Sequence, residues 1–272
     1  MILYDYLDYF LQYKLILFFI LGGCFGSLLN VIVIRMPIIL TQEQSSDKFN
    51  LFYPSSKCLN CNTRLKFWQN IPLISYLVLR GKCFYCHYNF SKNYFIIELI
   101  TSLLFMLIAY LNFSIVIIFA KCCFVFFIIA IIIIDFKHLI IPDELSITML
   151  WIGLMINISN IFVDDVKYAI LGAVFGYLFF YLLAFIYQLV TKKDGLGGGD
   201  FKLFAAILAW VGIDMFIPML LISSSLAILY FIAIKIIKNI SIEEQIPFGP
   251  FLCIAGLIIL FNLQYIKFLF YY

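Results

Sequence analysis

Two sets of side chains have types and spacing that could do chemistry: four cysteines in two close pairs, and two aspartates at the ends of apolar runs. Cys58-Leu-Asn-Cys61 and Cys83-Phe-Tyr-Cys86 are C-x-x-C knuckles separated by 21 residues. Two-residue spacing lets both sulfurs of a knuckle face one tetrahedral ion, and two knuckles complete a closed shell of four thiolates, which is the pattern of a structural zinc site. Disulfides are one alternative, and haem attachment through Cys83-Phe-Tyr-Cys86-His87 is another; both belong on the oxidising side of a membrane. The remaining cysteines, Cys24, Cys122, Cys123 and Cys253, lie in apolar runs and read as small buried hydrophobes.

Asp135 closes the apolar run Ile128–Ile134 and is followed by a polar bend that reaches Pro142 and Asp143. Taken alone, it could equally be a carboxylate marking the membrane interface beside Lys137. Asp200 ends the run Gly195-Leu-Gly-Gly-Gly-Asp200, directly before another apolar stretch, where a helix N-cap is the simpler reading. No Gly-Lys-Ser/Thr follows these glycines and no strand precedes them, so they are not a phosphate loop. They do remove side chains from the backbone beside Asp200, which would let an extended peptide approach closely. Two carboxylates in one site can hydrolyse a peptide: the ionised one activates water and the protonated one donates to the scissile carbonyl. Asp143 competes with Asp135 for the first of these roles. Glu98, just inside an apolar run, faces either a helix bundle or the interface.

The elements that must position these groups are membrane helices. Of 272 residues, 65% are apolar and only 12% charged, with a mean hydropathy of +1.09, whereas soluble domains carry about 25% charge. Apolar runs occur at about 12–34, 95–113, 115–134, 145–162, 168–190, 201–213, 215–237 and 247–266, which predicts an all-α polytopic protein of about eight transmembrane helices. The run between Asp200 and Asp214 is the shortest and spans a bilayer only if the membrane is thin there or the helix is partly buried. The sequence thus divides into a first transmembrane segment (1–35), a zinc-binding domain (36–94) and a transmembrane core (95–272).

Seven Lys or Arg against Glu43 and Asp47 place the 36–94 segment in the cytoplasm, with the N-terminus outside. Alternation then puts Arg35, Lys137, Lys192, Lys193, Lys202, Lys235 and Lys238 on the same side. Only Lys14, Lys121, Lys167 and Lys267 fall on the other. Asp135 and Asp200 both come to the cytoplasmic boundary. A net charge of +3 gives no reason to expect nucleic acid as a partner.

Five segments, in this order, resemble the type IV prepilin peptidases, membrane aspartyl peptidases of the Gly-x-Gly-Asp type. Gly26-Ser-Leu-Leu-Asn30 with Arg35-Met-Pro37 is similar to the opening motif, and Asn70–Ser75 with Arg80-Gly-Lys-Cys83 to the cytoplasmic domain. Asp135 with Pro142-Asp143, Gly197-Gly-Gly-Asp200-Phe-Lys-Leu and Ile246-Pro-Phe-Gly-Pro250 resemble the three motifs of the peptidase core. Leu28 stands where the family usually has an aromatic, and Gly198 replaces a larger residue. The resemblance implies Asp135 and Asp200 as catalytic residues, with Cys58, Cys61, Cys83 and Cys86 as zinc ligands. It further implies a bacterial inner-membrane enzyme that removes the leader of type IV prepilins and type II secretion pseudopilins. N-methylation of the new terminus with S-adenosylmethionine would follow, though no strand-turn-helix motif identifies residues for that cofactor. The rival readings are a leader peptidase without methyl transfer, a catalytically dead zinc-knuckle scaffold, and a transporter, for which the repeated broken helices of two matching halves are missing.

Overall fold

The architecture comes from a computed structural model that describes residues 2–41, 50–51, 56–58, 60–192, 197–238 and 247–271. Glu43, Asp47, Lys193, Gly195 and Ile246 of the sequence analysis lie outside the described residues. Among the described residues, ten α-helices follow in order: α1 (Ile2–Thr41), α2 (Ile74–Val78), α3 (Lys92–Leu111), α4 (Ile115–His138), α5 (Asp143–Asn157), α6 (Val166–Thr191), α7 (Gly198–Val211), α8 (Phe216–Lys238), α9 (Gly249–Phe261) and α10 (Leu263–Tyr271). Among the described residues there is no strand, only the isolated bridges Lys57–Arg64 and Lys82–Asn89. Helix is what lipid demands, because it pairs backbone polar groups within one segment.

Each of the eight apolar runs is helical over most of its length, the last of them as two helices, α9 and α10. Among the described residues, five helical segments are long and apolar enough to cross a membrane: Leu11–Thr41, Lys92–Leu111, Ile115–His138, Val166–Thr191 and Ile213–Ile237. A sixth is possible if α9 and α10, bent by 94° at Asn262, count as one. Length and composition therefore support five or six of the expected eight; α5 and α7, with 15 and 14 residues, are shorter than these candidates. Hydropathy detects apolar segments without distinguishing those surrounded by lipid from those surrounded by protein. The 14 residues of α7 give a rod of about 21 Å against a hydrocarbon core of about 30 Å.

The chain forms two compact units, Met1–Phe126 and Phe127–Tyr272. In the first, α1 lies antiparallel to α3. A Cβ on Gly22 would come within 2.6 Å of Ser102 Cα, and one on Gly26 within 2.7 Å of Glu98 Cα, so these glycines, four residues apart, let the two backbones touch. Both ends of this pair are pinned by polar bonds. Asn30 Nδ2 donates to the Tyr94 carbonyl (3.1 Å) at one end; at the other, Lys14 donates to the Asn112 carbonyl (3.1 Å) and Lys121 to its side chain (3.0 Å). The helix of the first run continues through Pro37 to Thr41, beyond the boundary expected at residue 35.

In the second unit, α7 is the core, packed by α5, α6 and α9. Phe201 and every residue from Leu203 to Val211 are buried. Polar bonds fix its C-terminal end: Asn157 Nδ2 donates to the carbonyls of Ala209 (2.8 Å) and Trp210 (3.0 Å), and Trp210 Nε1 donates to the Met149 carbonyl (2.9 Å). An orphaned carbonyl in an apolar interior would be expensive, so these bonds hold the short helix at one depth against α5. By contrast, α8 buries few of its residues, and Leu221, Ile228, Leu229, Ile232, Ile236 and Ile237 are exposed, as on a helix facing lipid.

Candidate active site and metal centre

Asp135 sits one turn before the end of α4, with 4% of its surface exposed. The helix stops just beyond it, where Leu139 adopts φ +54° and its N–H donates to the Asp135 carbonyl (3.0 Å). The chain then passes through Ile141 to α5. Asp200 is the third residue of α7. The N-cap is Gly197, whose carbonyl accepts the Asp200 N–H at 3.1 Å, so the capping role considered for Asp200 belongs to its neighbour.

The two aspartates converge. They are close enough to interact electrostatically, and both act on the buried Cys253 thiol, one turn into α9. The Gly249 N–H, at the start of α9, is directed at the Asp135 carboxylate. Among the described residues, each carboxylate keeps one buried oxygen without a hydrogen-bond partner, Oδ2 of Asp135 and Oδ1 of Asp200. Unsatisfied buried acceptors are rare outside functional sites.

Two glycines make the approach possible. A Cβ on Gly249 would lie 2.5 Å from Asp135 Oδ2 and 2.9 Å from Ile141 Cδ1; one on Gly199 would lie 2.8 Å from Ile141 Cβ. Ile141 therefore wedges between the starts of α7 and α9 and sets their spacing. Around Gly198 there is nothing within 4 Å, so the position that departs from the family pattern has room for a side chain. Asp143, the competitor for the first role, instead pairs with Lys202 at 2.6 Å and is half exposed.

The four cysteine sulfurs of the first unit all lie within 4.8 Å of one another, with Cys58–Cys86 at 3.7 Å and Cys61–Cys83 at 4.0 Å. None is in a disulfide. Four ligands about 2.3 Å from one zinc ion would be about 3.8 Å apart, so the set fits the ion. The two knuckles are built alike. Cys58 N–H donates to Thr63 O (3.0 Å) and Asn62 N–H to Cys58 O (3.0 Å); in the second knuckle, Cys83 N–H donates to Tyr88 O (2.9 Å) and His87 N–H to Cys83 O (3.0 Å). Asn62 and His87 occupy matching left-handed positions, with φ +55° and +56°. His87 thus turns the second knuckle and is exposed to solvent. Hydrogen bonding by the Thr63 side chain and backbone pulls the Cys61 thiol down to about 6, and the backbone of Cys86 and Tyr85 lowers Cys83, whereas Cys58 is raised to about 11; the thiolate that a metal requires is thus favoured at Cys61 and Cys83 but not at Cys58.

The structure thus brings together the aspartates and the cysteines singled out in the sequence. Sequence reasoning missed the contributions of Gly249, Ile141 and Cys253. For the first of these the signal was the Ile246-Pro-Phe-Gly-Pro250 motif, which sets Gly249 at the head of an apolar run.

A family model described as "Type IV leader peptidase family" matches residues 122–232, and one described as "Bacterial Peptidase A24 N-terminal domain" matches residues 20–112. The chain is 42% identical over 253 residues to a protein of Legionella pneumophila named prepilin leader peptidase/N-methyltransferase, with 87% of each chain covered. Proteins of the same name from Neisseria gonorrhoeae and Dichelobacter nodosus are 36% identical over 255 residues (88% of this chain, 87% of the relative) and 33% identical over 257 residues (85% of each). No solved structure matches the chain.

Proposed function

Because the chain belongs to the type IV leader peptidase family, we propose that it cleaves the leader from type IV prepilins and type II secretion pseudopilins, and then N-methylates the new terminus. Asp135 and Asp200 are the catalytic pair. The observation that carries this reading is the pair of buried carboxylate oxygens, Asp135 Oδ2 and Asp200 Oδ1, left without partners among the described residues where two interacting acids meet. One ionised carboxylate accepts a proton from the attacking water, and the other, protonated, donates to the scissile carbonyl as it becomes tetrahedral. When the intermediate collapses, the C–N bond breaks and the leaving amine takes up a proton. The Gly249 N–H orients Asp135, while the bare backbone at Gly197 and Gly198 leaves space for an extended substrate beside Asp200.

The enzyme is a multi-pass protein of the bacterial inner membrane, with its N-terminus outside and both the active site and the cysteine cluster on the cytoplasmic side. In this reading it comprises a first transmembrane segment (1–35), a zinc domain (36–94) and a peptidase core (95–272). Cys58, Cys61, Cys83 and Cys86 bind structural zinc, which ties two local turns into one domain. S-adenosylmethionine supplies a methyl group on a sulfonium; its transfer to the terminal amine forms an N–C bond, returns the C–S electron pair to sulfur and releases one proton. The test is cleavage of a prepilin in detergent. Asp135→Asn and Asp200→Asn should each lower the rate at least about 100-fold without unfolding the protein. Cleavage near the wild-type rate in either variant would remove that residue from the pair.

A further inference from the structure

Between the two knuckles, the chain from Asn70 to Leu79 carries no charge, although the stretch from Ser56 to Lys92 around it has six cations and no anion. We propose that this uncharged stretch is a re-entrant segment: it dips into the bilayer beside α1 and α3, anchored by Glu98, and turns Ile74, Leu77 and Val78 towards lipid acyl chains. The inference needs α1 and α3 to cross the membrane, but it does not depend on the catalytic reading.

Three observations support it. The first is depth. A Cβ on Gly23 would lie 3.4 Å from Pro72 Cβ and 3.2 Å from Ser102 Oγ, so Pro72 packs where α1 meets the middle of α3. Lys14 lies nine residues before Gly23 and Arg35 twelve after it, with no other charge between those two cations. At ~1.5 Å per residue these are distances of about 14 Å and about 18 Å along α1, which put Pro72 near the centre of a hydrocarbon core about 30 Å thick.

The second is Glu98, a carboxylate on α3 with only 9% of its surface exposed. One of its oxygens accepts the Leu73 N–H at 2.8 Å. Leu73 is the N-cap of α2, with φ +62°, so no helical carbonyl serves that N–H. Backbone at lipid depth must be paired within the protein, and an ionisable group there needs a partner; each supplies the other. The Ser75 N–H donates to the Ile71 carbonyl (3.0 Å) and the Leu77 N–H to that of Leu73 (3.1 Å), which closes the turn at the bottom of the dip.

The third is the outward face. Ile74, Leu77 and Val78 stand at helical spacings of three and four on α2, and they are 57%, 64% and 67% exposed. An aliphatic stripe beside two membrane-spanning helices is a surface for acyl chains. The charges return only where the segment would leave the bilayer, with Lys66 ahead of it and Arg80 and Lys82 behind, cations that suit anionic lipid headgroups. Trp68, a residue type that gathers at membrane interfaces, meets Phe84 of the second knuckle edge-on at 5.6 Å. The dip thereby fastens the cysteine turns to the membrane surface.

The test uses the full chain with its metal, reconstituted in lipid nanodiscs that contain a phospholipid with a photoactivated carbene precursor, placed either midway along an acyl chain or on the headgroup. Mass spectrometry should find the mid-chain probe on residues 74–78 as well as on α8, and the headgroup probe on 64–68 or 80–84. Glu98→Leu, which removes the acceptor for the Leu73 N–H, should lower mid-chain adducts on 74–78 at least about fivefold, with those on α8 unchanged. Leu77→Asp, which sets a charge on the outward face, should do the same. Headgroup adducts alone on 74–78, or none there while α8 is marked, would overturn the dip. Cross-links between two copies of the chain at 74–78, in place of lipid adducts, would overturn it as well. Mid-chain marking that survives in Glu98→Leu would remove Glu98 as the anchor.

Discussion

The cysteine cluster and the carboxylate pair are held by opposite means. Each knuckle closes on itself through hydrogen bonds between residues no more than five apart, so two small turns carry the geometry that a metal ion would join. The carboxylates have no local support. Asp135 comes from the end of α4, Asp200 from the first turn of α7, and the amide facing Asp135 from the start of α9. Their meeting depends on the packing of whole helices, with Ile141 as spacer and bare glycine at two contacts. A site of the first kind fails when a ligand is lost. One of the second kind fails when any neighbouring helix shifts.

That difference can be broken or sharpened by substitution. The largest effect beyond the aspartates themselves is expected at Gly249. Alanine there puts a methyl group against Asp135 Oδ2 and the Ile141 side chain, so cleavage should fall about 100-fold with metal content unchanged. Cys61→Ser attacks the other region: metal analysis should show bound zinc well below one per chain, and proteolysis within 56–90 should accelerate. Asn157→Leu leaves two carbonyls at the end of α7 unsatisfied and should destabilise the second unit by about 2–3 kcal/mol in a denaturation assay. At Gly198, where nothing lies within 4 Å, alanine should change stability by less than about 0.5 kcal/mol and leave cleavage near wild type. A large loss there would show that substrate runs against that backbone.

The same contrast governs how much the sequence could reveal. Cysteine spacing is a local property, and so the four thiols could be read as one set before any geometry was known. Apolar runs are local too, and all eight became helices. What surrounds a run is not a local property: α7, flagged by its short length, is enclosed by its neighbours in the second unit. The meeting of Asp135 and Asp200 was legible only as a shared depth at one end of their helices. Glycines at 197, 198 and 199 look alike in sequence, yet a contact with Ile141 makes 199 the demanding one. Cys253, read as a plain buried hydrophobe, is fully buried as expected, but beside both acids.

Because the amide facing Asp135 belongs to Gly249, the order of synthesis matters. A ribosome delivers the knuckles early, and either can close within a few residues of emerging. The carboxylate pair stays incomplete until the last long apolar stretch has been made and inserted. A growing chain would therefore be able to take up metal long before it could cut anything, which keeps an unfinished protease idle while it is still being threaded into the membrane.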